Sequence, residues 1–385
     1  MNNFYVKPRI YTDKSGLREV LKGKERAFIV TDRFLYDSGK VSYLTEPLEA
    51  MGIAYQIFQE VKPDPDIATV TKGISIMLDF NPQILLALGG GSAIDTAKAM
   101  NYLSVRQGLT EKCLLAVIPT TSGTGSEVSK FSVISDPEKS AKYPLVEDEM
   151  LPDAAILDAE LVKSVPPAVT ADTGIDVLTH AIEAFVSTEA SDFTDAAAEK
   201  AIKLVRSNLL RVCHEPDNLE ARQKMHHASC LAGMAFSNAG LGLNHSMAHT
   251  LGAHFHIPHG RANGILLPYV MSFNAGCHDK LTDTAKRYAI IARLVKIDGS
   301  SIRQSAFSVV RSTKQMIRQL GIPESIKAAG IEKDDFERVL DDMAEAAYKD
   351  TCTKTNPRAC QVEEIRELFM RAYTGKLNLD NRKRR

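Results

Sequence analysis

In the first part of the chain, apolar residues gather in short unbroken runs separated by stretches of helical period. Ala27-Phe-Ile-Val-Thr-Asp32, Ile53-Ala-Tyr-Gln-Ile-Phe58, Ile84-Leu-Leu-Ala-Leu88 and Cys113-Leu-Leu-Ala-Val-Ile-Pro119 are four such runs. Strands this apolar predict a parallel sheet buried on both faces, with helices covering it. One of those helices is predicted to start near Pro65-Asp66, with Ile67, Val70, Ile74 and Met77 at helical spacing. The pattern changes at Val165-Pro-Pro-Ala-Val-Thr170, where the proline pair punctuates the chain. Beyond it strand signals are few, and helical periods cover 170–187, 193–213, 218–237, 241–253, 261–276 and 280–297, with several more to about 375. The expectation is an α/β domain with a parallel sheet at 1–165, then an all-helical domain at 166–385. The tail Lys376–Arg385, basic at its end, reads as a frayed terminus.

Length and composition narrow the class. At 385 residues, two domains can each bury a core. With 25% charged residues and a formal net charge of −1, the chain has no global attraction for nucleic acid or an anionic membrane. No apolar run reaches the ~18 residues of a membrane span, and the first residues lack a signal-peptide core. The 6 cysteines are scattered without a CxxC spacing, so they read as thiols in a reducing cytoplasm.

Two polar loops follow predicted strands. Gly89-Gly-Gly-Ser-Ala-Ile-Asp95 stands where a strand turns into a helix. Glycines there let the backbone approach a ligand, and the helix start offers unpaired N–H groups to a phosphate. Pro119-Thr-Thr-Ser-Gly-Thr-Gly-Ser126 packs short donors into another strand end. Ligands of open α/β sheets bind at such ends, so the pair predicts a nucleotide site. Asp32 ends the first clear strand; its carboxylate suits ribose hydroxyls and repels a 2′-phosphate, which favours NAD over NADP.

The helical half carries a different chemistry. Asp176 and His180 are four apart, as are His245 and His249, so each pair shares a helix face. With Phe255-His-Ile-Pro-His259-Gly260 close behind, a carboxylate and several imidazoles are available to a divalent metal. Spacing alone does not say which four coordinate.

Read together, Gly89–Lys98, Pro119–Val128, Asp176–Ala184 and His245–Asn263 resemble the iron-containing, or group III, alcohol dehydrogenases, and the likeness covers nearly the whole chain. The resemblance implies a dinucleotide-binding α/β domain followed by a helical metal domain. It implies Asp176, His180, His245 and His259 as metal ligands and His249 as a catalytic residue beside metal and nicotinamide. By the same likeness Gly90, Gly91, Ser92, Asp95, Thr120, Thr121 and Ser122 bind the cofactor NAD, and Asp32 disfavours NADP. The metal would be Fe²⁺, although Zn²⁺ suits the same donors. Stretches 130–145, 191–201, 224–229 and 355–358 resemble, within that family, the branch of propanediol-utilisation microcompartments. Its members reduce propanal to 1-propanol and regenerate NAD⁺. That likeness implies a small aldehyde or alcohol substrate, a homodimer or higher homo-oligomer, and microcompartment shell or enzyme partners. A broad ethanol or butanol dehydrogenase and a lactaldehyde reductase are the alternatives. His254 and His256 depart from the family pattern and bear on pocket polarity.

Overall fold

The structure is a computed structural model that describes residues 4–137, 141–277 and 280–377. The basic tail from Asn378, and residues 138–140 within one stretch of the narrower resemblance, lie outside the described residues. Tyr5–Ser164 form one compact unit; residues 165–377, together with Phe4, form the other.

Among the described residues the first unit holds eight strands: β1 (Arg9–Tyr11), β2 (Arg26–Asp32), β3 (Ala54–Val61), β4 (Ile84–Gly89), β5 (Leu114–Pro119), β6 (Phe131–Asp136), β7 (Ala141–Val146) and β8 (Ala154–Ile156). Its helices are α1 (Ser15–Leu21), α2 (Arg33–Asp37), α3 (Ser42–Ala50), α4 (Ile67–Phe80), α5 (Gly91–Arg106) and α6 (Ala159–Val162). Six strands make one parallel sheet in the order β1-β8-β5-β4-β2-β3.

Strand periodicity divides the sheet's side chains between two cores. Phe28, Val30, Leu85 and Ala87 face one side, with Val70 and Met77 of α4 and Ile94 of α5. Ala27, Ile29, Leu86 and Leu88 face the other, with Leu17 and Leu21 of α1 and Leu44 and Leu48 of α3. All of β4 is buried, which explains its uninterrupted apolar run.

The chain runs from β2 outward to β3, then returns to the opposite side of β2 for β4. The strand order therefore reverses between β2 and β4, and ligands of open α/β sheets gather at the carboxyl ends beside such a reversal.

Two details depart from the sequence pattern. Asp66 caps α4 by accepting the Thr69 N–H at 2.7 Å, as the Pro-Asp start suggests. Ile67, however, is 48% exposed, because it occupies the first helical turn outside the core. Strands β6 and β7 pair antiparallel as a separate two-stranded sheet. The pattern in β6 is mixed: Ser132 and Asp136 are buried beside Ile134 while Val133 is exposed.

The second unit contains α7 (Pro167–Val186), α8 (Asp192–His214), α9 (Leu219–Ala239), α10 (Leu243–Phe255), α11 (His259–Asn274), α12 (Thr284–Leu294), α13 (Ile302–Gln319), α14 (Lys333–Lys349) and α15 (Val362–Thr374). The proline pair marks the start of α7, where a missing N–H costs nothing. Nearly all of α7 is buried, so its polar residues point into protein rather than water. Gly174 lets α8 close on it: a Cβ there would lie 2.2 Å from Leu209. Gly260 does the same for α11, since its Cβ would lie 2.0 Å from the Asp172 carbonyl oxygen. Among the described residues no helix is long and apolar enough to cross a membrane. None of the six cysteines is joined to another in a disulfide.

Candidate metal centre and nucleotide loops

The close crossing at Gly260 places His259, the first residue of α11, beside Asp176 of α7. His259 Nε2 lies 3.7 Å from Asp176 Oδ1. His245 Nε2 of α10 is also 3.7 Å from that oxygen, and His180 Nε2 is 4.0 Å from Oδ2. The four side chains offer one donor atom each within 4.8 Å of one another. Four donors at metal bonds of about 2.0–2.1 Å in a tetrahedron stand roughly 3.4 Å apart, so only a slight contraction would close them on an ion.

A buried orphan atom supports the fit. His245 Nδ1 is hydrogen-bonded to Glu183 Oε2, while its Nε2 is buried with no hydrogen-bond partner. A buried, unsatisfied ring nitrogen costs about 1–3 kcal/mol, and a cation at the centre of the group would satisfy it. Burial, then the neighbouring His259 and His249, pushes His245 well below the usual imidazole range, which keeps it neutral as a ligand must be. Burial pushes the Asp176 carboxyl up, against the opposing effects of His180 and the Asn263 amide. That amide donates to Asp176 Oδ1 at 2.7 Å and its nitrogen lies 3.1 Å from His259 Nε2, so it stands between two of the four donor residues.

His249, one turn beyond His245, takes no part in this group of four. Its Nδ1 lies 2.9 Å from Asp350 Oδ2, and its ring stacks on His259 with centroids 5.5 Å apart. Asp350 is itself fixed: Oδ1 accepts the Cys352 N–H at 2.8 Å and the Ser246 hydroxyl at 3.2 Å. Burial alone would raise the Asp350 carboxyl, but the hydrogen bond and charge of His249 and the Cys352 N–H bring it down to about 2. His249, Asp350 and Cys352 are a second cluster of potential donors, in which burial and the Asp350 charge push the thiol well above its usual range. His254 and His256 are exposed near the end of α10 and join neither cluster.

In the sheet unit, the two polar loops lie side by side. Gly89 pairs in register with Pro119, and the Thr120 N–H donates to the Gly89 carbonyl at 3.0 Å. A Cβ on Gly91 would lie 2.8 Å from Thr124, and one on Gly90 would lie 3.3 Å from the Thr121 hydroxyl. Gly90 starts α5 with no side-chain cap, leaving its first N–H groups to a ligand or water. Gly90, Gly91, Ser92, Thr120, Thr121 and Ser122 thus share the carboxyl edge of two adjacent strands. Asp32 ends β2, the neighbour of β4. Its Oδ1 accepts the Leu35 N–H at 2.9 Å, and its Oδ2 lies 3.7 Å from where a Gly89 Cβ would stand.

Asp95 is differently employed. Its carboxylate accepts the Ser126 hydroxyl at 2.6 Å and the Val133 N–H at 3.1 Å, tying α5 to the second loop and to β6. Fully buried Lys98, one turn further along, donates to Ser126 Oγ at 3.0 Å and to the carbonyls of Ser129 and Phe131 at 2.7 and 2.9 Å. Burial lowers this ammonium to about 8 and raises neighbouring Glu127 to about 7. Sequence reasoning missed Lys98, Glu127, Glu183, Asn263 and Asp350. Glu183 carried a signal, for it continues the polar stripe 176, 180 along an otherwise apolar helix.

With this geometry in hand, comparison with known proteins is consistent along the whole chain. Residues 11–159 match the iron-containing alcohol dehydrogenase family and residues 170–373 its C-terminal domain. The 1-propanol dehydrogenase PduQ of Salmonella typhimurium is 46% identical over 96% of this chain and 99% of its own. The NADPH-dependent butanol dehydrogenase of Clostridium saccharobutylicum is 40% identical, over 97% and 99%. A crystal structure of 1,3-propanediol oxidoreductase superposes with a TM-score of 0.89 at 33% identity, covering 97% of this chain and 100% of that one. A parallel α/β unit with polar strand-end loops, a helical unit with one carboxylate and three imidazoles converging, and matches of this length have one common explanation: the chain belongs to the iron-containing alcohol dehydrogenase family.

Proposed function

We propose that the protein is an NAD(H)-dependent, iron-dependent alcohol dehydrogenase working chiefly as an aldehyde reductase, with propanal and 1-propanol as its substrate pair. The observation that carries the reading is the convergence of Asp176, His180, His245 and His259, with the His245 Nε2 lone pair buried and unmatched. When bound, the divalent ion supplies Lewis acidity at the substrate oxygen and the dinucleotide supplies the hydride. The chain's own residues do the rest. Asp176 brings one negative charge against three neutral imidazoles, so an M²⁺ site keeps a formal charge of about +1, which favours an oxyanion. His249, with Asp350 accepting at Nδ1, is the residue that passes a proton to the product oxygen. Gly90, Gly91, Ser92, Thr120, Thr121 and Ser122 hold the dinucleotide, and Asp95 serves it indirectly by fixing Ser126. Asp32 accepts from the adenosine ribose and opposes a 2′-phosphate.

Two features support a small neutral substrate. Arg261, two residues from His259, is engaged by Asp172 through contacts of 3.1 Å at both Nε and a terminal nitrogen, so its charge is already matched. The likeness to the Salmonella 1-propanol dehydrogenase favours the three-carbon chain. One methylene in an apolar pocket is worth about 1–3 kcal/mol, so activity on acetaldehyde and butanal should overlap. The narrower resemblance adds NAD⁺ regeneration in a propanediol-utilising cell, a microcompartment setting and a homo-oligomer to the same proposal.

The test is kcat/KM for acetaldehyde, propanal, butanal and lactaldehyde with NADH and with NADPH, after anaerobic reconstitution with Fe²⁺, together with 1-propanol oxidation at neutral pH. Propanal with NADH is expected to lead. A preference of about a hundredfold for lactaldehyde, or oxidation outrunning reduction, would overturn the reading.

A further inference from the structure

We infer that Glu183 is the positioning residue that commits His245 to metal binding, by holding the ring in the one tautomer that presents a lone pair to the Asp176 cluster. The inference rests on the reading above that Asp176, His180, His245 and His259 hold the ion. Glu183 stands one helical step beyond His180 on the buried face of α7, and its side chain is only 4% exposed. Its two oxygens have separate tasks. Oε1 accepts the Asn244 N–H at 2.7 Å, and Oε2 meets His245 Nδ1.

The surroundings are built for that carboxylate. Helix α10 starts at Gly242 with no side-chain cap of its own, so Glu183 supplies the cap from α7. A Cβ on Gly242 would lie 2.8 Å from Glu183 Oε1, which accounts for the glycine. A cap alone would need one oxygen. Burial pushes the Glu183 carboxyl up, but the N–H groups of Asn244, His245 and Gly242 oppose that shift. As a carboxylate its second oxygen accepts the N–H of His245 Nδ1, and a neutral ring protonated there bears its lone pair on Nε2. That Nε2 is the buried atom with no hydrogen-bond partner, 3.7 Å from Asp176 Oδ1. Outer contacts of this kind set the tautomer and aim of metal-bound histidines.

Glu183→Gln separates the two tasks. The amide oxygen can still accept the Asn244 N–H, which leaves the NH₂ group facing His245. Nδ1 must then accept, the ring proton moves to Nε2, and the lone pair turns away from the metal group. The experiment titrates metal-free, full-length protein with Co²⁺, read by its visible absorption and by chelator competition, alongside thermal unfolding of the metal-free proteins. Expected is a Co²⁺ affinity about 10–100-fold weaker in Glu183→Gln, with metal-free Tm unchanged or higher. Gly242→Ala, which crowds Oε1 without removing the charge, should weaken Co²⁺ in the same direction and stands in should Glu183→Gln fail to fold. If wild type takes up no Co²⁺, the metal reading itself falls. If wild type binds and the folded variants bind within about threefold of it, Glu183 is a helix cap only and the inference is overturned.

Discussion

Gly260→Ala is the substitution whose consequence can be worked furthest from the structure. A Cβ at this position would lie 2.0 Å from the Asp172 carbonyl oxygen, 2.7 Å from its carbon and 3.2 Å from Asp176 Cβ. Real Cβ atoms keep at least 3.0 Å, so the first turn of α11 must retreat from α7 by 1.0 Å or more (3.0 − 2.0). The obstacle is backbone of a buried helix, which has no rotamer to change. His259 is the adjacent residue and retreats with it. Metal-ligand distances tolerate only about 0.2 Å, so a bond of about 2.1 Å is lost rather than stretched. Two effects should follow. Overpacking should cost about 1–3 kcal/mol in the metal-free protein, which is several degrees of Tm for a unit of this size. Metal affinity should fall by at least about 100-fold, the upper end of what outer contacts alone control. Co²⁺ titration and thermal unfolding measure both. Gly264→Ala is the control: its Cβ would meet the Ile175 side chain at 3.1 Å, and a methyl group can give way. Gly260→Ala that binds Co²⁺ like wild type would refute the argument that this crossing sets the ligand spacing.

Three further outcomes are expected. His245→Ala or His259→Ala should lose metal and turnover together while the sheet unit still binds NADH; full metal occupancy in either variant would remove that residue from the ligand set. Wild type should favour NADH over NADPH, and Asp32→Gly should narrow the ratio of kcat/KM by about tenfold or more; equal efficiency in wild type would remove Asp32 from this role. Glu127, raised by burial to about 7 from 4.5, keeps a proton in the folded state that the unfolded chain releases between those values. Stability should therefore drop as pH rises through that window, by about 3 kcal/mol for this group. Denaturant unfolding at pH 5 and 8 should show Glu127→Gln lacking that part of the fall, and parallel pH profiles would contradict it.

Much of the architecture was legible because strand and helix periods differ. The four apolar runs became β2, β3, β4 and β5, and the proline pair became the start of α7. The hairpin β6–β7 was not, because β6 buries Ser132 and Asp136 beside Ile134 and exposes Val133, which breaks the apolar alternation of a strand. The i, i+4 pairs in α7 and α10 singled out candidate donors, but His249 stands outside the group of four, and convergence with His259 depends on a helix crossing that no local pattern encodes. Glu183 was readable as the next polar position on a buried helix. Asp350 was not: it lies 101 residues from His249, in a turn after α14, and only folding joins them.

The order in which the chain is made gives the two-unit organisation a temporal meaning. Strand β8, between β1 and β5, completes the sheet at Ile156, before Asp176 exists. The metal group spans Asp176 to His259, but its seat is finished much later. Asn356 accepts the Leu243 N–H at the start of α10 at 3.2 Å and exchanges hydrogen bonds with Asn274 of α11 at 3.1 and 2.9 Å. Phe4, before the sheet in the chain, also packs on Phe193 of the second unit. A nascent chain can thus have its sheet unit shaped while the four side chains of the candidate metal group are still unassembled. On the proposed reading, an ion can settle in that group only after the chain has been made at least as far as Asn356.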